Sequence, residues 1–412
     1  MKSKSKNEIF DIYLKAIKIE FEQESTYYDY LGVKKHFKYI PRAHVIIKKV
    51  KKNEFIIRRF VSMFIFIYLI LGHFIVIIYN LLKSLIVNLS YKKIIISKHI
   101  YFENPGSKYF SYINQNDINY PESLIYLPYK KDKKSKLKNI KYVSLFNITS
   151  SFILIKAALY SFIFIWWLIF SKNNKLVLFS YTAFNWFWIY FSLNDSQINS
   201  IWISNHYDRW TILASNLTDI NVTIVQHGQL FFKDYKNNIT LFPNFSAKIK
   251  NVKCIYAFDT ISENYFKKYI DFTQTSFLRI KSKLEIIDWR KESNNKIRIL
   301  IIGHQGELKF QMKLSEFLLK KYNNLIDICY KYHPLQKNRI TNMNIWEEYS
   351  DNKIPRANLI ISYGSSIDNE IADVLDCEFQ YYDIRERENI SEVSNEIKNK
   401  IDRLTVKNSN VK

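Results

Sequence analysis

From Lys175 onward the chain repeats one device: a short, almost wholly apolar run ends abruptly on polar residues and gives way to a stretch with helical spacing. KLVLFS, INSIWIS, NVTIV and VKCIYA are such runs, and TAFNWFWIYFSL, TILASNL and ISENYFKKYI are the helical stretches between and after them. A second set begins near Lys296 with IRILII, then LKFQMKLSEFLLKKY as a helix, NLIDICYKY, ANLIIS and CEFQYYDI. Apolar runs this short and this continuous, separated by helices, predict parallel sheets with crossover helices, and hence an α/β fold in two units joined between Phe272 and Asn294. The charged tail after Arg385 is expected to pack as a helix.

Ahead of these units, IFDIYLKAIKIEF reads as amphipathic helix, KKIIISKHIYF as a short strand before an Asn-Pro-Gly reversal, and Asn114 to Pro121 as loop. The run from Lys130 to Lys141 is either a solvated face or a contact to acidic headgroups. Two apolar segments are each long enough to cross a bilayer: Phe60 to Leu82, and Phe152 to Phe170, which carries Lys156. Basic stretches precede the first and separate the two, so a simple pair of spans would put one basic region outside. A re-entrant pair, a helical hairpin against the inner leaflet, or one span plus one buried helix relieves that conflict. Membrane attachment is expected, at an anionic surface.

With 412 residues, 48% hydrophobic and 17% aromatic, the chain has material for two domains and more, which excludes a disordered polymer. The net charge of +23 favours anionic partners, although the abundance of Lys, Asn and Ile points partly to genomic base composition. No zinc-finger, RNP or basic-zipper spacing occurs, so nucleic acid is not expected as a partner. Cys254, Cys329 and Cys377 are few, odd in number and far apart, which argues against a disulfide scaffold and for a reducing compartment. The first residues, MKSKSKNEIFDIYLKAIKIEFEQ, mix acids and bases and predict no secretory signal.

Open parallel sheets bind ligands beyond the carboxyl ends of their strands. Candidate site residues are therefore sought where the apolar runs stop. NVTIV is followed by Gln226, His227 and Gly228; SIWIS by His206, Asp208 and Arg209. In the second unit, Gly303 and Gly306 bracket His304 and Gln305, a pattern that is neither GxGxxG nor a P-loop. His333 and Pro334 follow the next run. In SYGSSIDNE, Gly364 permits a tight turn and Ser365 and Ser366 offer hydroxyls and N–H groups at a helix start, either to a phosphate or as an ordinary cap. Asp368 and Glu370 orient sugar hydroxyls, cap the helix or stay solvated. A histidine exchanges its proton near neutral pH, so His227 is preferred over Asp208 as a general base.

QHGQLFFK, YHPLQK and ISYGSSIDNE together resemble bacterial glycosyltransferases and polyol-phosphate transferases of the two-Rossmann-domain kind. The likeness is to the CDP-glycerol glycerophosphotransferase-like and capsule-synthesis enzymes, over about Lys175 to Ile384. It implies a GT-B-like fold, two Rossmann-like domains facing a central cleft. The expected division is 1–95 as a helical, membrane-associating region, 96–285 as the acceptor-side domain with 152–170 inserted, and 286–412 as the donor domain. The resemblance implies His227 as base, His333 on donor phosphate, and Ser365 and Ser366 on the nucleotide-linked phosphates. Gly303, Gln305, Gly306, Pro334, Asp368 and Glu370 fall on the donor side, and His206, Arg209 and Lys233 on the acceptor side. Gly364 departs from the family's pattern at the serine turn. The implied partners are a nucleotide-activated sugar or polyol donor and a saccharide or lipid-linked acceptor at the cytoplasmic face of the bacterial inner membrane. Neither a cofactor nor a metal is expected. The alternative is a non-catalytic, membrane-associated carbohydrate-binding or polysaccharide-assembly protein.

Overall fold

A computed structural model describes residues 4–30, 39–41, 54–90, 98–102, 123–126, 141–204, 208–217, 219–226, 232–234, 239–280, 284–289, 296–303, 308–332, 347–349, 353–363, 367–372, 375–382 and 390–409. The chain divides into two compact units, one of Met1–Phe232 with Leu241–Ile280, the other of Lys233–Thr240 with Lys281–Lys412. In the first, strands β1 (His99–Phe102), β2 (Ser123–Tyr126), β3 (Lys141–Ser144), β4 (Ser200–Ile203) and β5 (Asn221–Val225) join a seven-stranded sheet. β6 (Phe232–Asp234) and β7 (Ile239–Leu241), most of whose residues fall in the second unit, pair separately, and β8 (Val252–Ala257) and β9 (Ser276–Arg279) complete the large sheet of the first. Its order is β3-β2-β1-β4-β5-β8-β9, parallel throughout.

The second unit holds β10 (Glu285–Ile287) paired with β14 (Lys353–Pro355), and a five-stranded sheet. The five are β11 (Ile297–Ile302), β12 (Ile326–Lys331), β13 (Glu347–Tyr349), β15 (Leu359–Ser362) and β16 (Glu378–Tyr381), in the order β13-β12-β11-β15-β16, again all parallel. Each sheet runs outward from its first strand to one side, then returns and continues on the other. That is the doubly wound, Rossmann-like plan. Two such lobes with open parallel sheets, together with the N-terminal apolar helices, make an α/β architecture consistent with a GT-B-like fold.

The continuous apolar runs are explained by burial on both faces. In the second lobe Ile299, Ile301, Ile328 and Tyr330 face one core, covered by Leu314 and Leu318 of the helix Leu308–Tyr322 and by Ile397 and Ile401 of the helix Ile390–Ser409. Their neighbours Leu300, Ile302, Cys329 and Ile360 face the other, with Trp289, Ile354 and Ile371. A half-solvated strand would have shown alternation; these cannot.

KLVLFS is not a strand. Residues Asn174–Thr182 form a 3₁₀ helix that runs into the helix Ala183–Asn194. Its buried positions Leu176, Phe179 and Ser180 fall three and four residues apart, one helical turn, and strand alternation would have required two. β2, β3 and β9 are strands that the sequence pattern does not announce, each four residues long and two of them flanked by lysines.

The first lobe is covered by aromatic helices. The N-terminal helix Lys6–Tyr30 packs Phe10 and Tyr13 onto Phe164 of the helix Ser151–Phe170, with ring centroids 5.3 and 4.8 Å apart. Tyr13 also lies 4.8 Å from Trp186 and 5.1 Å from Phe187. The same helix carries Glu20, whose carboxylate accepts a hydrogen bond from Arg209 Nε in the interior. Arg209 Nη1 donates to Thr182 Oγ1, and the guanidinium lies 4.6 Å from the Tyr181 ring centroid. Burial opposes the charge on Arg209 most strongly, but Glu20, Tyr181 and Tyr13 together more than offset it and hold the guanidinium above its ordinary pKa. Removing one partner leaves the other charge buried, so Glu20→Gln is expected to lower unfolding stability by about 3 kcal/mol. Denaturant titration reads this directly.

The first apolar segment forms a helix, Glu54–Ile67, a π turn, Tyr68–Gly72, and a second helix, His73–Ser90. A Cβ at Gly72 would lie 2.6 Å from Tyr68 Cδ2, so the turn needs glycine. His73 follows it, buried, with Nε2 3.2 Å from Ser161 Oγ and its ring 5.9 Å from those of Phe162 and Phe184. Burial pushes its pKa down from 6.5 to about 4. Between those values the unfolded chain binds a proton that the fold does not, so stability contributed by neutral His73 is present above pH 6.5 and lost as pH falls toward 4. The melting temperature of the wild type is expected to drop across that window, and that of His73→Leu to drop less.

Candidate functional site

Every strand of a parallel sheet ends at the same edge, and the order of these strands decides which exits are neighbours. In the second lobe the reversal of winding lies between β11 and β15. The chain leaves β11 at Gly303, β12 at Tyr332 and β15 at Tyr363, and these three strands are adjacent. The next residues in the chain are His304-Gln305-Gly306 after β11, His333-Pro334 after β12 and Gly364-Ser365-Ser366 after β15. Those residues lie outside the described ones, as do His206 and His227. The side chains of Lys233 in β6 and Glu370 in the helix Ile367–Ala372 are likewise outside the description.

Gly303 is explained by packing. Its N–H donates to Lys331 O at 2.8 Å, which draws the backbone so close that a Cβ would stand 2.6 Å from Lys331 O and 2.6 Å from Tyr330 Oη. Only glycine closes the β11 exit onto β12 in this way. Beneath it Gln311, wholly buried, donates to Ile302 O at 2.8 Å and to Tyr382 Oη at 2.7 Å, and accepts from Tyr330 Oη at 2.7 Å. Asp368, also buried, accepts the Ser362 hydroxyl at 2.9 and 2.7 Å, tying the end of β15 to the first turn of the next helix across the Gly364–Ser366 segment.

In the first lobe the winding reverses between β1 and β4. The β1 exit at Phe102, followed in sequence by Glu103-Asn104-Pro105-Gly106, therefore neighbours the β4 exit at Ser204. Asp208 stands at the start of the helix Arg209–Ser215 and caps it, Oδ1 accepting from Trp210 N at 2.9 Å and Thr211 N at 3.1 Å. Asp208 is thus an N-cap, satisfying two otherwise unpaired N–H groups of the helix. Arg209 is turned to the interior pair with Glu20. One strand further on, Gln226 is buried at the end of β5: Oε1 accepts from Phe258 N at 2.8 Å and Nε2 donates to Ser262 Oγ at 2.9 Å. His227 thus leaves a strand end that is anchored to the start of the helix Thr260–Tyr269, itself capped by Asp259 on Ser262 N at 2.6 Å.

Gln311 does not stand out in the sequence as a site residue. Gln311 sits on the apolar stripe of its helix, in line with Leu314, Leu318 and Tyr322, where a polar residue marks a buried hydrogen-bonding role. Among the described residues no group of three His, Cys, Asp or Glu is placed to hold a metal ion.

No protein-family model matches the chain, and no curated protein does. Among solved structures the chain is similar to the crystal structure of TarM, at 9% identity and a TM-score of 0.41, over 78% of this chain and 94% of that one. It is also similar to the Candida albicans trehalose-6-phosphate phosphatase N-terminal domain, at 11% identity and a TM-score of 0.34, over 76% and 91%. A third likeness, to the GtfA/B complex, has 9% identity and a TM-score of 0.28 over 49% and 46%. These are distant similarities of structure and bear no weight for the reaction.

Gly303→Ala is expected to cost about 1–3 kcal/mol, because the new methyl group meets a backbone carbonyl that cannot yield without breaking the β11–β12 closure. Thermal unfolding of the single variant measures it.

Proposed function

We propose that the protein is a transferase that moves a sugar or polyol-phosphate from a nucleotide-activated donor to a hydroxyl of a surface-polysaccharide or lipid-linked acceptor, at the cytoplasmic face of the bacterial inner membrane. The observation that carries this reading is the adjacency of the β12, β11 and β15 exits on either side of the winding reversal, because the motifs that resemble donor-binding segments come directly after those exits.

In this reading His333, Ser365 and Ser366 take the donor phosphates, supported by Gly303, Gln305, Gly306 and Pro334. The helix Ile367–Ala372 is only six residues long, so its contribution is the free N–H groups of one turn. Asp368 ties Ser362 to the helix that follows, and Glu370 is assigned to donor hydroxyls. His227 accepts the proton of the acceptor hydroxyl as its oxygen attacks the donor, and the nucleotide phosphate leaves with the bonding electrons. Asp208 is the second choice of base, since its Oδ1 already serves two helix donors. His206 and Lys233 contact the acceptor. Arg209, committed to Glu20, supports the acceptor side from within.

Incubation with cytidine-, uridine- and guanosine-linked donors and membrane extract, read by mass spectrometry, identifies the transferred group. His227→Ala is expected to lower turnover about 100-fold or more without changing the melting temperature. His333→Ala and Ser366→Ala are expected to weaken donor binding about tenfold. Saccharide binding with no product from any donor overturns the reading in favour of a binding or assembly role.

A further inference from the structure

Among the described residues, most exposed large apolar side chains belong to two helical segments, Glu54–Ser90 and Ser151–Phe170. Phe64 is 73% exposed, Ile75 66%, Leu159 57%, Trp166 54% and Phe170 81%. The two faces meet: Phe74 lies 6.2 Å from Phe162, and behind that contact His73 Nε2 is 3.2 Å from Ser161 Oγ. A soluble chain rarely leaves so many large apolar groups together in water.

Hydropathy alone does not separate these helices from a core helix. Asn174–Asn194 is also long and apolar enough to span a bilayer, yet Trp186, Phe187, Trp188 and Ile189 are wholly buried in the lobe. Ser151–Phe170 differs in having two apolar faces. Leu154, Ala157, Phe164 and Leu168 are sealed against the lobe, while Phe152, Leu159, Trp166 and Phe170 are exposed. Its one charge, Lys156, is laid over the Phe191 ring at 4.4 Å.

The sealed face decides how a bilayer is met. Its partners include Phe10 and Tyr13 of the helix Lys6–Tyr30, which also carries Glu8, Lys15, Lys18 and Glu20. A helix that crossed the hydrocarbon would have to draw that charged neighbour in with it. Charge identifies the lipid. The sequence holds no acid between Glu54 and Glu103 but six Lys or Arg, and none between Asp132 and Asp195 but eight lysines. Apolar faces embedded in acid-free, basic stretches complement anionic headgroups.

We propose that the outer faces of Glu54–Ser90 and Ser151–Phe170 form one platform that lies in the plane of a single anionic leaflet, without crossing it. The proposal rests on these faces and charges and does not depend on the reaction assigned to the strand exits.

The full chain is tested by co-flotation with preformed vesicles of phosphatidylcholine alone or with phosphatidylglycerol. Binding is expected to rise at least tenfold with the anionic lipid and to fall as much in a Phe74→Glu, Leu159→Glu, Trp166→Glu variant. These three positions are exposed, and an unchanged melting temperature verifies the fold of the variant. Ser151→Cys and Ser171→Cys, at the two ends of the second helix, are then labelled with a membrane-impermeant maleimide from outside, over the background of the native thiols. Both are expected to react on bound protein. Loss of one label shows a span and overturns the proposal. So does failure to bind either vesicle, with or without self-association through this face.

Discussion

A parallel sheet leaves neither face to water, and the need to cover both governs this molecule. In the larger lobe part of the cover is aromatic and comes from far away in sequence: the first thirty residues supply Phe10 and Tyr13 to the packing around Phe164, Trp186 and Phe187. Apolar packing has little directional preference, so it does not by itself fix how such a helix lies. The Arg209–Glu20 pair adds a directional tie between the N-terminal helix and the helix Arg209–Ser215. Its desolvation cost is high, and its worth lies in what a lost partner would expose.

The same parallel arrangement gathers all strand exits of a lobe at one edge. There the chain changes from apolar run to polar loop within one or two residues, which is why Gly303, His333 and Gly364 stand out so readily in the sequence. Buried hydrogen bonds support that edge. Gln311 holds the last carbonyl of β11, Ser362 and Asp368 span the serine turn, and Gln226 holds the strand end before His227.

Burial also decides which elements are legible in the sequence. Strands of five or six residues buried on both faces, such as β5, β11 and β12, stand out as unbroken apolar runs. β2 and β3 do not, because four residues that mix apolar side chains with Ser, Tyr or Lys carry too little pattern. KLVLFS has a strand's composition, but a 3₁₀ turn matched the positions it had to bury. Asp208 and Arg209 resemble a base and an acceptor-binding group in the sequence because they are polar and follow a strand. The structure engages Asp208 as a cap on the turn that follows it, and Arg209 as half of an interior ion pair whose partner, Glu20, a linear reading does not bring near. The exposed face of Ser151–Phe170 is equally hidden, since an apolar residue reads alike on either side of a helix.

Buried Gln226 and Gln311 bear on how such a scaffold changes over time. Each grips a main-chain atom, a carbonyl of Ile302 in one lobe and the N–H of Phe258 in the other. A carbonyl or an N–H is offered by almost any residue, so the side chains at the gripped positions can drift while the platform keeps its shape. A chain built this way can inherit the frame and rewrite the specificity, and its ancestry would then be more durable in strand order than in sequence identity.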